Sequence, residues 1–503
     1  MNGIFKEQRK AGVLMPIFSL PGEYGIGTLG KGAYAFVDWL QSAGMKTWQV
    51  LPLLPTSYGD SPYQSYASDA LNYYFIDLSE LVEEGLLVED DLKELVWSDD
   101  ERRVDYGRQY FQKAAVLKKA YARFDKSNAE WQAFLAEGFY RDFALFKTLK
   151  KHFGDKSWSE WDEPYKSADK AALAEFSANH ADEIAFWQFT QYLFLKQWRA
   201  LKSYANERGI VIMGDMPIYV ATDSVETWLH RKELFLLDKD GEPSLKAGVP
   251  PDAFSEDGQL WGNPVYDWKK MRKNGYAWWK ARIDYALTLF DVVRIDHFRG
   301  FDRFFAIPAD AETAKEGEWL PGPSDKLFTG MKDKNIVAED LGIIDDGVRI
   351  LLKKTGFPGM KVMMFAFDGN KENEHLPSQY VKNCVAYTGT HDNETLVEYM
   401  SNMDEDTRAS FERTLEKQCI LADVPYIVET ENEECQSIIE LLFSTVANTV
   451  IVPMHDVLAY DAEARINAPS TVTGGNWTFR YTEKDFRRRK AAWLSELCLR
   501  YNR

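Results

Sequence analysis

The segment Asp291-Val-Val-Arg-Ile-Asp-His-Phe-Arg-Gly300 runs from a short β-branched stretch straight into a carboxylate. Near-continuous apolar character is the mark of a strand buried on both faces, as in a parallel sheet covered by helices. Arg294 lies two residues before Asp296. Strand alternation therefore sends both side chains to one face, where an arginine holds a carboxylate ionised and oriented.

Seven further runs of this kind occur at 13–20, 47–53, 210–219, 336–340, 361–367, 384–388 and 449–453, with helical stretches between them. With 291–296 they predict an α/β fold, a closed (β/α)8 TIM barrel. The competing open doubly wound sheet needs a glycine-rich phosphate turn after its first strand, and Gly25-Ile-Gly-Thr-Leu-Gly30 has that spacing. No acidic residue ends a second strand about 20 residues on, so the glycines are read as a backbone turn.

The barrel is expected to span 1–503 as a single catalytic domain with two elaborations. A helical insertion is expected at 78–208, between the second and third strands. In it Ile184, Trp187, Phe194, Trp198 and Leu201 recur at helical spacing. A second insertion at 221–268, between the third and fourth strands, carries Gly248-Val-Pro-Pro-Asp-Ala-Phe-Ser and Trp261-Gly-Asn-Pro, turn-rich and aromatic, suited to a lid over a cleft. No internal repeat or Pro/Gly/Ser-rich linker divides the chain.

Composition excludes several functions. With 45% hydrophobic and 27% charged residues, the 503-residue chain reads as an ordinary globular protein and not as a disordered scaffold. Its net charge of −18 opposes nucleic-acid binding. The one dense basic run, Arg487-Arg-Arg-Lys490, is read as a solvated helix face. Four cysteines without a CxxC pair suggest neither a disulfide framework nor a zinc site. No targeting segment is apparent, and the longest apolar stretch, 438–454, is interrupted by Glu440 and Asn448 and reads as a helix followed by a strand. A cytoplasmic protein without a membrane partner is expected. Aromatics at 14% fit either a large aromatic core or a cleft that stacks on sugar rings.

In a barrel of this kind chemistry sits at the C-terminal ends of the strands. Four ends carry carboxylates: Asp215, Asp296, Glu339 and Asp392, with His297 and His391 beside two of them. A single strand-end acid is ordinarily a helix cap or an ion-pair partner; four on one rim suggest glycosyl transfer. That reaction needs a protonated carboxyl for the leaving oxygen and an ionised one for the anomeric carbon. Two carboxylates at close range resist ionising together, which separates the two states. The rival is a metal site, but no HxH or HExxH spacing occurs and neither a metal nor any other cofactor is expected. Beside a clustered acid, His297 can instead donate to a substrate hydroxyl.

The segments Tyr24-Gly-Ile-Gly-Thr-Leu-Gly, Asp60-Ser-Pro-Tyr-Gln-Ser, Gly214-Asp-Met-Pro-Ile-Tyr, Gly248-Val-Pro-Pro-Asp, Leu260-Trp-Gly-Asn-Pro, Arg294-Ile-Asp-His-Phe-Arg-Gly, Ala338-Glu-Asp-Leu-Gly, Gly389-Thr-His-Asp-Asn, Arg465-Ile-Asn-Ala-Pro and Gly475-Asn-Trp together resemble the 4-alpha-glucanotransferases, the amylomaltases or disproportionating enzymes of glycoside hydrolase family 77. The resemblance implies a retaining double displacement with Asp296 as nucleophile, Glu339 as general acid then base and Asp392 as transition-state stabiliser. It implies that Arg294 orients Asp296. Tyr63, Asp215 and His391 would line the subsite of the attacked glucose, and Phe254, Asn263 and His297 complete the implied substrate-binding set. Ala253 stands where some members of the family have Tyr, and His455 where the resemblance leads one to expect Gln. The implied partners are malto-oligosaccharides and other α-1,4-glucans, in maltose and glycogen metabolism, handled by a monomer or small homo-oligomer. A hydrolase of the same clan and a glucan-binding protein without activity are the competing readings.

Overall fold

The structure, a computed structural model, describes residues 8–57, 59–251, 256–471 and 474–503. Its strands are β1 Lys10–Leu14, β2 Thr47–Gln49, β3 Val211–Met216, β4 Leu245–Val249, β5 Gln259–Pro264, β6 Val292–Ile295, β7 Arg303–Pro308, β8 Glu318–Pro321, β9 Ile336–Ala338, β10 Gly359–Val362, β11 Cys384–Tyr387 and β12 Thr449–Pro453. Eight of these form one sheet in the order β10-β11-β12-β1-β2-β3-β6-β9, with every pair parallel. The two ends of the sheet approach each other at a seam. There Ala338 N donates to Pro358 O at 2.9 Å, and Met360 N donates to Asp340 Oδ1 at 2.6 Å. The result is a (β/α)8 barrel, nearly closed.

All eight runs read from the sequence overlap a barrel strand, but several strands are shorter or begin earlier than the apolar pattern, and 13–20 and 361–367 share only two residues each with theirs. The first spans Lys10–Leu14 and stops short of Pro16, which has no N–H for a ladder, and the chain then makes the single 3-10 turn Ile17–Ser19. The sixth ends at Val362, after which Met363–Ala366 is a 3-10 turn. Apolar sequence continues past these ends because the rim turns are themselves buried. Residues 438–454 divide as expected, between the helix Glu431–Ser444 and β12.

The glycine cluster at 25–30 is a backbone turn. Gly25 has φ +67°, and a Cβ on Gly27 would lie 1.8 Å from the Ile17 carbonyl oxygen. Gly27 N donates to Phe18 O at 2.9 Å, so the bare backbone packs directly on the turn after β1.

Between β2 and β3 the chain forms helices that include Tyr106–Arg123, Arg141–His152 and Ala181–Glu207. The last buries Ile184, Trp187, Phe194, Trp198 and Leu201. Much of the aromatic content serves packing here: Trp131, Phe189, Tyr192 and Phe124 meet with centroids 4.8–6.1 Å apart.

The remaining four strands make an antiparallel sheet, order β5-β4-β7-β8. Strands β4 and β5 come from the 221–268 segment, whereas β7 and β8 follow β6 and pair Ala247 with Ala306 and Phe305 with Trp319. Among the basic residues at 487–490, Arg487, Arg488 and Arg489 are exposed. Lys490 departs from the expected solvated face: it is buried and donates to Asn432 Oδ1 at 2.6 Å. All four cysteines are buried and free. Among the described residues no helix is long and apolar enough to cross a membrane.

Candidate active site

Strands β3 and β6 are neighbours, and their register sets Asp215 opposite Arg294. Arg294 Nε and Nη2 donate to the two oxygens of Asp215 at 2.9 and 2.6 Å, and Nη2 also donates to Asp296 Oδ1 at 3.0 Å. The Tyr63 hydroxyl donates to Asp215 Oδ2 at 2.5 Å. Exposure separates their tasks: the Asp215 and Arg294 side chains are 0% and 3% exposed, while that of Asp296 is 29% exposed. Asp215 and Arg294 thus lie beneath the floor, bonded to Tyr63 and Asp296.

Glu339 follows β9 and is tied to the same rim turn. Its N–H donates to Ile295 O at 3.0 Å, its carbonyl accepts from Phe298 N at 2.9 Å, and Oε2 accepts from His297 N at 2.7 Å. Oε1 accepts from Leu341 N at 2.7 Å. His297 adopts a left-handed backbone, φ 48°, a conformation uncommon for residues with a Cβ and concentrated at functional sites. Burial pushes both Asp296 and Glu339 upward, Asp296 to about 7 with Glu339, Asp215 and Asp392 adding repulsion against the pull of Arg294. Each of the two neighbouring carboxyls raises the cost of ionising the other. The Arg294 hydrogen bond favours Asp296 as the anion.

Asp392 is of the opposite kind. Although burial pushes its carboxyl up, His391 and the Asn467 amide outweigh it and hold the group down at about 2. Asn467 Nδ2 donates to Oδ1 at 2.6 Å, and His391 Nε2 lies 3.2 Å from Oδ2. The His391 ring stacks on Tyr63 at 5.1 Å and 10°, and Trp477 flanks both rings at 5.9 Å. The loop bearing His391 and Asp392 is clamped from below by Asp456, whose carboxylate accepts from Thr388 Oγ1 at 2.6 Å and from Leu396 N at 2.8 Å. Sequence reasoning gave Asn467 and Asp456 no role. Asn467 lies inside the Arg465-Ile-Asn-Ala-Pro segment, which was the one available signal; Asp456 directly follows His455, a buried and neutral imidazole pushed down to about 3 by burial.

These groups open into a cleft of about 1480 Å³ lined by Tyr63, Trp261, Asp296, His391, Asp392 and Trp477, among others. Asn263 reaches it, but its amide is engaged: Gln64 exchanges two hydrogen bonds with it at 3.1 and 3.2 Å, and Val220 O accepts from it at 2.7 Å. The His297 ring meets Trp261 edge-on at 4.9 Å. Burial pushes the ring down to about 4, leaving it neutral, and its Nε2 has no partner among the described residues. Phe254 and Ala253 lie outside the described residues. No three His, Cys, Asp or Glu side chains among the described residues are grouped to hold a metal ion.

The chain matches the family Glyco_hydro_77, 4-alpha-glucanotransferase, over residues 15–485. It belongs to that 4-alpha-glucanotransferase family. This family member is similar to the 4-alpha-glucanotransferase of Clostridium butyricum, with 44% identity covering 97% of this chain and 100% of the relative. It is equally similar to that of Streptococcus pneumoniae, with 44% identity covering 95% and 94%. Among solved structures, the amylomaltase of Streptococcus agalactiae in complex with acarbose superposes with a TM-score of 0.93 at 41% identity, covering 99% of this chain and 100% of that one. The protein is thus a glycosyl-transferring enzyme, and in this 4-alpha-glucanotransferase two of the four strand-end acids, Asp296 and Asp392, line the cleft.

Proposed function

We propose that the enzyme moves a segment of an α-1,4-glucan to the 4-hydroxyl of another glucan or of glucose, by a retaining double displacement run by Asp296, Glu339 and Asp392. The observation that carries the reading is the division of labour on one floor: an acid hydrogen-bonded to arginine, an acid pushed up by burial and tied to the same turn, and a third held as an anion.

In the first half, the Asp296 carboxylate attacks the anomeric carbon while the bond to the leaving glycosidic oxygen breaks and Glu339 protonates that oxygen. A glycosyl ester on Asp296 and a shortened glucan result. In the second half, Glu339, now ionised, takes the proton of the acceptor 4-hydroxyl as its oxygen attacks the same carbon and Asp296 leaves. Positive charge builds on the sugar in both transition states, so hydroxyls near the fixed Asp392 anion bind it more strongly there than in the ground state. Tyr63, backed by His391, offers a ring face to the attacked glucose. The acarbose bound to the Streptococcus agalactiae amylomaltase is in keeping with an oligosaccharide in this cleft.

The test is incubation with maltotriose alone, with chain lengths and total reducing ends followed together. A ladder of longer and shorter glucans at constant reducing ends is the expected result. Rising reducing ends would make the enzyme a hydrolase, and no reaction would overturn the reading.

A further inference from the structure

Lys147 plays no part in this chemistry, yet it is the least satisfied cation in the cleft wall. It lies on the helix Arg141–His152 and is 5% exposed, and it belongs to the lining of the same cleft that holds Asp296 and Asp392. Its Nζ sits over the Tyr66 ring at 4.7 Å and the Trp187 ring at 5.2 Å. Among the described residues no oxygen accepts a hydrogen bond from it. Comparable lysines are supplied: Lys113 Nζ donates to Ile76 O at 2.7 Å, and Lys150, one turn along the same helix, is bonded to Asp223 and to Lys156 O. A buried ammonium is stable only with compensation, and here the aromatic faces and the nearby carboxylates of Asp155 and Asp223 supply part of it. Its place in the cleft lining leaves the Nζ within reach of an oxygen entering the cleft.

The surroundings decide the ligand class. Asp155 shares the wall and accepts from the Tyr110 hydroxyl at 2.5 Å. Asp60, Asp99, Asp100 and Asp105 line the same cleft, with Arg103 as a further cation. On a chain of net charge −18 this wall repels an anion. A neutral polyol meets each requirement: an oxygen for Lys147, a hydroxyl proton for Asp155 and an apolar ring face for the Tyr66 or Tyr110 plane.

We propose that Lys147, Tyr66 and Asp155 form a subsite for a glucose unit of the bound glucan away from the bond that reacts, so that this wall selects for longer chains. The proposal rests on the glucanotransferase reading above. Because the cleft is continuous from this wall to Asp296, a single oligosaccharide can occupy both.

The test compares kcat/KM for maltotriose and maltoheptaose in the parent enzyme, in Lys147→Met, which keeps the stem that packs on the two rings, and in Asp155→Asn, an exposed position that leaves the fold intact. The expected result is that the maltoheptaose-to-maltotriose ratio falls about tenfold in Lys147→Met, the weight of one hydrogen bond from a charged donor, and falls by a smaller factor in Asp155→Asn. A ratio equal to the parent's in both variants, whether the two substrates decline together or not at all, would overturn the subsite. So would inorganic phosphate competing with maltoheptaose in the parent but not in Lys147→Met, which would make the wall an anion site. A parent enzyme inert toward maltotriose would fail the glucanotransferase reading instead, which keeps the two failures distinguishable.

Discussion

Replacing Arg294 with Met separates what that residue does for folding from what it does for catalysis. The guanidinium is 3% exposed and faces an Asp215 carboxylate that is 0% exposed, with two hydrogen bonds at 2.9 and 2.6 Å. Removing one partner of a buried pair leaves the other charge uncompensated and costs about 3–5 kcal/mol. Arg294→Met is therefore expected to lower the urea midpoint by an amount equivalent to that. Adding Asp215→Asn removes the stranded charge while keeping an acceptor for the Tyr63 hydroxyl, so the double variant should recover all but about 1 kcal/mol. Catalysis should not recover. The third bond, from Arg294 to Asp296 at 3.0 Å, is lost in both variants, and a charge-assisted bond of about 1.5–3 kcal/mol corresponds to roughly 10- to 150-fold in kcat/KM. The assays are urea unfolding and disproportionation of maltotriose on the parent, both single variants and the double. A double variant no more stable than Arg294→Met, or one that regains activity along with stability, would refute the reasoning.

Asp296→Asn, nearly isosteric and still able to accept from Arg294, should remain cooperatively folded and remove transfer, because the attacking anion is gone; parent-like turnover in protein free of deamidation would exclude Asp296 as nucleophile. Glu339→Gln should impair natural glucans far more than a glucosyl donor whose leaving group needs no protonation, and equal losses on both donors would argue against an acid role. Asn467→Ala removes the 2.6 Å bond to Asp392 and should reduce kcat/KM by roughly 10- to 150-fold, most visibly toward acid pH as Asp392 rises from about 2. Asp456 is pushed up to about 7 by burial. A carboxyl raised in the fold stabilises it below the unfolded pKa and loses that contribution as pH rises through the folded value. Asp456→Asn should therefore gain stability relative to the parent between about pH 4 and 7 and hold that gain above it, and a constant difference across that range would place the titration elsewhere.

The readings that depended on local pattern were the durable ones. Eight apolar runs located the barrel strands because a strand buried on both faces must be apolar whatever packs against it. Their ends were misjudged at 15–20 and 363–367, where buried rim turns prolong the apolar run beyond the strand. The antiparallel pair β7 and β8 went unread: it gains its partner, β4, from a segment about 60 residues earlier in the chain, with Ala247 opposite Ala306, and periodicity carries no information about partners.

The site divides in the same way. Sequence alone determined which acids stand at strand ends and that Arg294 shares a face with Asp296, since alternation along one strand is a local property. Tertiary structure decided what those acids are. Asp215 became a buried counter-charge because barrel register sets it opposite Arg294, 79 residues away. Asp392 became a fixed anion because the neighbouring His391 and, 75 residues on, the Asn467 amide hold it down together, while Asp456, 60 and 68 residues from the loop ends, clamps its loop. Lys147 became part of the cleft only when its helix closed against Tyr66 and Trp187. Charge state and hydrogen bonding depend on which distant groups closure of the barrel brings within about 3 Å, and no local spacing encodes that distance.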